Sequence, residues 1–243
     1  MHNALVEKHA LERCHKALLS VGWSDQILRP YLYDKNDAVL ILKGISRHFG
    51  DFEVLDRVDL TIKRGSIVGV CGPTASGKTT LLNVMAGILN PSQGVIQLAE
   101  DVAFVDLTPA LARINIGYSM QHPSFYPELS IRDNLRHYLS LYGREKELES
   151  FLEEFSLEKV YSVRAQDASK GTQRKLDIAL AIAHHPNLLL LDEPFADLDA
   201  ENKAKVWQTI GRLHDEGVTI VVASKEISEI RSHLDQVLDL GAR

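Results

Sequence analysis

Apolar and polar residues alternate along this chain in blocks that predict short strands separated by helices. The apolar blocks predict strands at residues 39–42, 54–62, 66–71, 187–191 and 218–223. The last two are continuous apolar runs, which are typical of strands buried on both faces in a parallel sheet. A helix is predicted from Lys78 to about Leu89, and it is ended by the Asn-Pro-Ser-Gln-Gly sequence at 90–94.

Two regions, residues 1–37 and the middle of the chain, differ from this pattern. Residues 1–37 are expected to form a separate helical extension and linker, because Leu11, Cys14, Leu18 and Val21 recur at helical spacing. That amphipathic helix either docks a partner or membrane surface, or packs on its own domain as a loosely held extension. The middle of the chain, at about 130–183, is mostly helical in pattern, and its acidic stretch at 145–154 is interpreted as a solvated helix face.

Composition narrows the class of protein without defining it. The chain has 243 residues, 45% of them hydrophobic, which suits one large domain with an extension or two small domains. A net charge of −6 gives no reason to expect nonspecific nucleic-acid binding. No run approaches the roughly 18 apolar residues of a membrane span, and we expect a cytosolic chain. Cys14 and Cys71 are expected to be free thiols, with Cys71 as a small buried hydrophobe.

An eight-residue motif directly follows the apolar strand that ends at Cys71. It reads Gly-Pro-Thr-Ala-Ser-Gly-Lys-Thr and matches the Walker A pattern of phosphate loops. Such a loop points backbone N–H groups at a phosphate, and the following helix adds the positive end of its dipole. The motif predicts a nucleotide site in which Lys78 contacts the β- and γ-phosphates and Thr79 binds Mg²⁺. The predicted nucleotide-binding residues are Gly72, Pro73, Thr74, Ala75, Ser76, Gly77, Lys78, Thr79 and Thr80.

A second motif supplies two adjacent carboxylates. Four leucines at 188–191 precede Asp192, Glu193 and Pro194, which is the Walker B pattern of a buried strand with an acidic end. Successive side chains at a strand end diverge, so the two carboxylates can do different work. We expect Asp192 to hold Mg²⁺, directly or through water, and Glu193 to polarise the attacking water as a general base.

With the residues between and after them, these motifs resemble the ATP-binding domain of ABC transporters from about Val39 to Leu240. The segment 116–121 ends in Gln121, which matches the family's glutamine that senses the γ-phosphate and Mg²⁺. The resemblance implies an α/β fold of P-loop NTPase, ABC ATPase type, with a parallel core sheet flanked by helices and an antiparallel β subdomain. It implies an ATP-binding domain at 38–243, with a helical subdomain at about 122–170.

Two further stretches match motifs that act across the family's dimer interface. The signature motif is represented by Ala168, Ser169, Lys170, Gly171 and Thr172, of which Ser169 and Gly171 keep the usual residues. In the family this helix start binds the γ-phosphate held by the other subunit, so Ser169 implies a head-to-tail dimer. The loop after Walker B, with Leu198 and Asp199, is implied to cross the same interface.

Phe49 stands where the family has an aromatic residue that stacks on adenine, and phenylalanine offers the required π-face. A core role is the competing interpretation of Phe49.

Three departures from the family pattern affect the expected chemistry. Lys225 replaces the switch histidine that helps to align water and base, and it cannot both donate and accept a hydrogen bond. His233, further along, is interpreted as a surface residue. Ala75 replaces a usual glycine, at a cost of about 1 kcal/mol if its φ is positive.

The third departure is Lys170 and Thr172 in the signature, which either lowers turnover or marks a subfamily. A lysine at this position resembles export-type ATPases that pair with separately encoded permeases. The resemblance therefore implies an ATPase subunit that uses ATP and Mg²⁺, forms a homodimer or heterodimer, and lies on the cytoplasmic face of the membrane beside a permease. The alternatives are a regulatory subunit that hydrolyses little ATP, because of Lys225, and a soluble ABC ATPase that takes no part in transport.

Overall fold

The computed structural model describes residues 38–100, 103–225 and 227–241. The N-terminal extension expected at residues 1–37, with Cys14, lies outside these ranges and stays a prediction. Cys71 is a free, buried thiol as expected, and burial raises its pKa to about 11. Within the described ranges, no helix has the length and apolar character needed to cross a membrane.

The first of two sheets is antiparallel and has four strands in the order β2-β1-β4-β5. Its strands are β1 (Ala38–Phe49), β2 (Phe52–Lys63), β4 (Gln93–Glu100) and β5 (Ala103–Asp106). In β2 the alternation of buried and exposed residues places Val58, Leu60 and Ile62 inside. The predicted strands at 39–42 and 54–62 are confirmed, but both are longer because they pair along one hairpin that turns at Gly50 and Asp51.

The second sheet is parallel and has five strands in the order β6-β7-β8-β3-β9. Its strands are β3 (Ile67–Cys71), β6 (Ile116–Ser119), β7 (Leu188–Asp192), β8 (Thr219–Ser224) and β9 (Gln236–Asp239). Every residue of β3, β7 and β8 is buried. All five strands run in the same direction, so their carboxyl ends lie at one edge of the sheet. The phosphate-loop motif follows β3 at this edge, and the acidic pair of the Walker B motif lies at the end of β7.

Seven helices are assigned within the described ranges. They are α1 (Lys78–Met85), α2 (Pro109–Asn115), α3 (Ile131–Ser140), α4 (Leu148–Glu154), α5 (Lys170–Ala181), α6 (Ala200–Asp215) and α7 (Ile227–Ile230). The prediction of α1 was four residues too long at its end. The helix stops after Met85 because Gly87 adopts a left-handed conformation with φ 65° and donates its N–H back to Val84.

The buried apolar residues form two core clusters, and the leucines of β7 alternate between them. Leu188 and Leu190 pack in the cluster that lies with the antiparallel sheet and α1. Leu189 and Leu191 pack in the other cluster, with residues of α3, α4, α5 and α6. The continuous apolar run seen in the sequence is therefore required, since both faces of the strand are covered.

The helical region between β6 and α5 contains α3 and α4. As predicted, the acidic stretch forms a solvated face: the residues at 145–147 form a 3₁₀ turn, and α4 buries Leu148, Phe151 and Leu152 while Glu149 faces solvent. Asn134 of α3 is fully buried. Its Oδ1 accepts the Tyr126 N–H at 2.7 Å, and its Nδ2 donates to the carbonyls of Tyr126 at 2.9 Å and Ser130 at 3.1 Å.

Replacing Asn134 with alanine leaves those buried backbone groups unpaired, so we expect Asn134→Ala to lower the free energy of unfolding by about 2–4 kcal/mol. Arg136→Ala on the same helix is the control, because that side chain is 53% exposed and should matter by less than about 0.5 kcal/mol. Urea unfolding of both variants measures the difference. Equal effects would show that the Asn134 hydrogen bonds are not stabilising.

Candidate nucleotide-binding site

The phosphate-loop motif forms a tight turn between β3 and α1. Gly72 and Gly77 have φ of 151° and 96°, which favour glycine. A side chain at Gly77 would also meet the Val54 carbonyl oxygen at 3.0 Å. No side chain caps the start of α1, so its first N–H groups are available to a phosphate.

The loop curls around the ammonium group of Lys78, which is only 6% exposed. Lys78 Nζ donates to the carbonyls of Gly72 at 2.8 Å and Pro73 at 3.0 Å. The buried hydroxyl of Ser76 has no hydrogen-bond partner. A buried cation and an unpaired hydroxyl in one loop fit phosphate oxygens, which accept hydrogen bonds from both.

Ala75 takes the conformation that the missing glycine would favour. Its φ is 65°, in the left-handed region, so alanine carries a backbone strain of about 1 kcal/mol there.

Asp192, the last residue of β7, is fully buried, and neither of its carboxylate oxygens has a hydrogen-bond partner. Burial raises its pKa, while the nearby Thr79 hydroxyl and Lys78 ammonium act in the opposite direction. A buried, unpaired carboxylate beside a threonine hydroxyl fits the oxygen ligands of Mg²⁺. Among the described residues, no group of three or more His, Cys, Asp or Glu side chains is placed so that it could hold a metal ion.

Glu193 lies between the Lys78 ammonium group and the backbone N–H of Lys225. Its Oε1 is 3.5 Å from Lys78 Nζ, and its Oε2 accepts the Lys225 N–H at 3.4 Å. The Glu193 N–H donates to the Ala223 carbonyl at 3.0 Å, because β7 and β8 are paired neighbours. Glu193 itself has φ 48°, so the general-base candidate sits in a strained turn.

These groups line a cleft of about 270 Å³. Its lining includes Thr74, Ala75, Gly77, Lys78, Thr79, Thr80, Gln121, Glu193 and Lys225 from the predicted set, with Val54 and Ala196 in addition. Val54 and Ala196 carry no chemical signal, so only the folded chain reveals them. The structure thus brings Gln121, Glu193 and Lys225 to the phosphate loop from the ends of three different strands.

Phe49 is not among the residues that line this cleft. It ends β1, is 47% exposed, and has the Arg47 guanidinium 4.7 Å above its ring. That exposure is not the environment of a core residue. Stacking on adenine stays a prediction for Phe49.

The signature residues face a different cleft. Ser169 caps α5, and its Oγ accepts the Thr172 N–H at 3.2 Å. Gly171 is pressed against Asn202 of α6, so that a side chain at this position would collide with Asn202 Oδ1. Ser169, Gly171 and Thr172 line a separate cleft of about 520 Å³. Lys170, beside them, is exposed.

Leu198 and Asp199 occupy the turn that leads into α6. Leu198 packs partly buried against the core shared by β7 and α6. Asp199 caps α6, where its Oδ1 accepts the Asn202 N–H at 2.8 Å. Asn202 therefore connects this loop to the signature glycine.

Sequence reasoning missed Arg174, on the second turn of α5. Its guanidinium is largely buried among Asp177, Asp192 and Asp197, and burial lowers its pKa. It donates to the Met120 carbonyl at 3.2 Å, next to Gln121. The sequence feature that could have indicated Arg174 is its position as a basic residue two places after the signature.

Comparisons with known proteins show the family of this chain. A family model described as "ABC transporter" matches residues 55–196, more than half of the chain. The "Probable sulfate/thiosulfate import ATP-binding protein CysA" of Chlorella vulgaris is 35% identical over 197 residues, which are 78% of this chain and 82% of that protein. The "Lipopolysaccharide export system ATP-binding protein LptB" of Escherichia coli (strain K12) is 33% identical over 198 residues, 79% of this chain and 82% of that protein.

A solved structure gives the same result. The ATP-binding cassette MJ0796, described as dimeric, in a post-hydrolysis state and bound to ADP and Pi, superposes with a TM-score of 0.72 at 27% identity. The superposition covers 83% of this chain and 94% of the cassette. The predicted ABC ATPase fold is thereby confirmed. This chain belongs to the ATP-binding proteins of the ABC transporter family.

Proposed function

We propose that this chain is the ATP-hydrolysing subunit of an ABC transporter and powers a separately encoded membrane permease by closing and opening as a head-to-tail dimer. The observation that carries the proposal is the position of Glu193, which lies in the phosphate-loop cleft in contact with Lys78 and the Lys225 N–H. Members of this family hydrolyse ATP, and the chain has a carboxylate where a general base is needed.

ATP is bound by the loop from Gly72 to Thr80 in this proposal. The free N–H groups at the start of α1 and the ammonium of Lys78 hold its phosphates, and Ser76 adds a hydroxyl donor. Phe49 is proposed to stack on the adenine.

Mg²⁺ is proposed to be held by Asp192, Thr79 and Gln121. When bound, Mg²⁺ neutralises charge on the phosphate oxygens. Glu193 orients a water molecule and accepts its proton as the water oxygen bonds to the γ-phosphorus; the bond from that phosphorus to the bridging oxygen breaks, and ADP and phosphate are the products. Lys78 stabilises the negative charge on the phosphate.

Two chains are proposed to complete each other's sites. In one chain Ser169, Gly171 and Thr172 line a different cleft from the phosphate loop, and the cassette MJ0796 is described as dimeric. In a head-to-tail pair, Ser169 of one chain would face the γ-phosphate held by the other. Leu198 and Asp199 would lie at the same interface, and the natural pair is either a homodimer or a heterodimer.

The permease is proposed as a separate polypeptide, with this chain bound to it on the cytoplasmic face of the membrane. One similar protein is named for import and another for export, at nearly equal identity. The proposal concerns ATP-driven dimer closure, a step that can power either import or export.

Lys225 supports a second candidate function. It follows β8 at the position of the family's switch histidine, and its side chain is exposed at the edge of the cleft. A lysine ammonium donates but does not accept a hydrogen bond, so it holds water and base in line less well than imidazole. The alternative is a regulatory subunit that closes on ATP and hydrolyses it very slowly.

Replacing the proposed base removes proton transfer while preserving shape. We expect Glu193→Gln to lower steady-state ATP turnover with Mg²⁺ by about 100-fold or more, with ATP binding retained. Wild-type turnover per chain should rise with protein concentration, as a dimeric site requires. Glu145→Gln, an exposed glutamate in the helical region, is the matched control and should keep wild-type turnover. Unchanged turnover in Glu193→Gln would exclude Glu193 as the base.

The role of Lys225 is tested by restoring the imidazole. We expect Lys225→His to raise turnover by about tenfold, because imidazole can both donate and accept. Lys159→His, at an exposed lysine, is the control. A wild-type chain that binds ATP without turning it over, and gains activity only in Lys225→His, would support the regulatory subunit. A fall in Lys225→His would instead assign the lysine a productive role.

The proposed contact in trans is tested with a matched pair of helix caps. Ser169 and Ser130 each accept one N–H at the start of a helix, at 3.2 Å and 3.0 Å. Each alanine variant therefore loses about 1 kcal/mol of capping. We expect only Ser169→Ala to reduce ATP-dependent dimerisation, measured by light scattering in the Glu193→Gln background. Equal dimerisation in both variants would argue against the head-to-tail dimer.

A further inference from the structure

Three stacked rings connect the segments that carry Glu193 and Lys225. Phe195, two residues after Glu193, stacks on Trp207 of α6 with 4.7 Å between ring centroids and 25° between planes. Trp207 stacks on His233 at 4.3 Å and 21°. His233 ends the 3₁₀ turn Arg231–His233, eight residues after Lys225 on the chain that leaves β8.

The stack runs from the interior to the surface. Phe195 is buried, Trp207 is half-buried and His233 is exposed. Offset aromatic pairs at these distances attract beyond the area they bury. An exposed ring held so close to its neighbour therefore anchors the outer segment to α6.

The inner end of the stack supports a strained turn. Glu193 and Asp197 have φ of 48° and 59°, in the left-handed region that side chains disfavour. Within the turn the Ala196 N–H donates to the Glu193 carbonyl at 3.1 Å, and the Leu198 N–H to the Phe195 carbonyl at 3.4 Å. Strain of this kind persists only where packing holds it, and the ring of Phe195 supplies packing from inside the turn.

The same ring borders the space between the two segments. A cavity of about 90 Å³ is lined by Glu193, Phe195, Ser224 and Lys225, among others. A shift of Phe195 would change the shape of this cavity and the separation of Glu193 from Lys225.

We propose that Trp207 and His233 are positioning residues, which hold the Glu193 turn and the Lys225 segment at a fixed spacing through Phe195. Neither touches the reacting atoms; they act through the turn they support. The kinetic part of this inference rests on the proposed ATP hydrolysis, whereas the structural part does not.

Three variants test the stack against a matched control. His233→Ala removes the outer ring, Trp207→Ala removes the central ring, and Trp207→Phe keeps a stackable ring. The control is His185→Ala, which removes another exposed histidine, stacked on Phe151 at 6.4 Å in the helical region.

Two readouts are measured: steady-state ATP turnover, and backbone amide exchange followed by mass spectrometry. We expect His233→Ala and Trp207→Ala to lower kcat by about tenfold and to change the KM for ATP by less than about twofold. Misplacing the catalytic groups slows the chemical step more than it weakens ATP binding. Exchange at residues 193–198 should accelerate by about tenfold while exchange at 131–154 is unchanged. Trp207→Phe should restore both values, and His185→Ala should alter neither.

The possible outcomes separate this inference from the proposed function. Wild-type exchange and kcat in His233→Ala would overturn the inference, as would faster exchange throughout the chain, which indicates general destabilisation. If the wild type does not hydrolyse ATP, the proposed function fails, and exchange at 193–198 alone decides the inference. His233→Ala removes an exposed ring, so the test stands even if Trp207→Ala does not fold.

Discussion

The register of the parallel sheet is the constraint on which the rest of the structure depends. β7 lies between β6 and β8, with Asp192 opposite Ala223, and β8 pairs with β3 so that Ser224 lies opposite Cys71. The residues that follow these strands, Glu193, Lys225 and Gly72, therefore emerge side by side. A slip of one residue would turn each leucine of β7 to the wrong core and move Asp192 to the opposite face. The two apolar cores that hold the strand in register thus also hold the site together.

Above this rigid edge, the backbone is strained where the chemistry is proposed. Ala75, Glu193 and Asp197 all have positive φ without being glycine. Such conformations cost free energy and are kept only where neighbouring structure determines them. The buried strands determine one side of the turn at Glu193, through the hydrogen bond to Ala223. The ring of Phe195 packs on the other side, against Trp207.

The sequence predicted the elements whose burial or chemistry leaves a local pattern. β3, β7 and β8 are apolar throughout because both faces are covered, and the phosphate loop is readable because its glycines and lysine are close in sequence. The hydrophobic pattern did not predict β4, β5, β6 and β9, since these strands are short or partly exposed and their pattern is weak. Contacts between residues that are far apart in the sequence could not be predicted either. Nothing in the order of residues indicates that Arg174 lies beside Asp192, or that His233 stacks on Trp207.

The arrangement of α5 connects the two halves of the proposed dimeric site within one chain. Its first turn carries Ser169 at the cap and Gly171 against Asn202, and its second turn carries Arg174. Arg174 donates to the Met120 carbonyl, one residue before Gln121, and its charge faces Asp192. A helix moves as a unit, because its backbone hydrogen bonds link successive turns. A phosphate that bound at Ser169 in the proposed dimer would therefore act on a helix that already contacts the Gln121 segment and carries a positive charge near Asp192. The hydrogen bond to the Met120 carbonyl and the attraction of the guanidinium to nearby carboxylates both oppose separation of the helix from these segments.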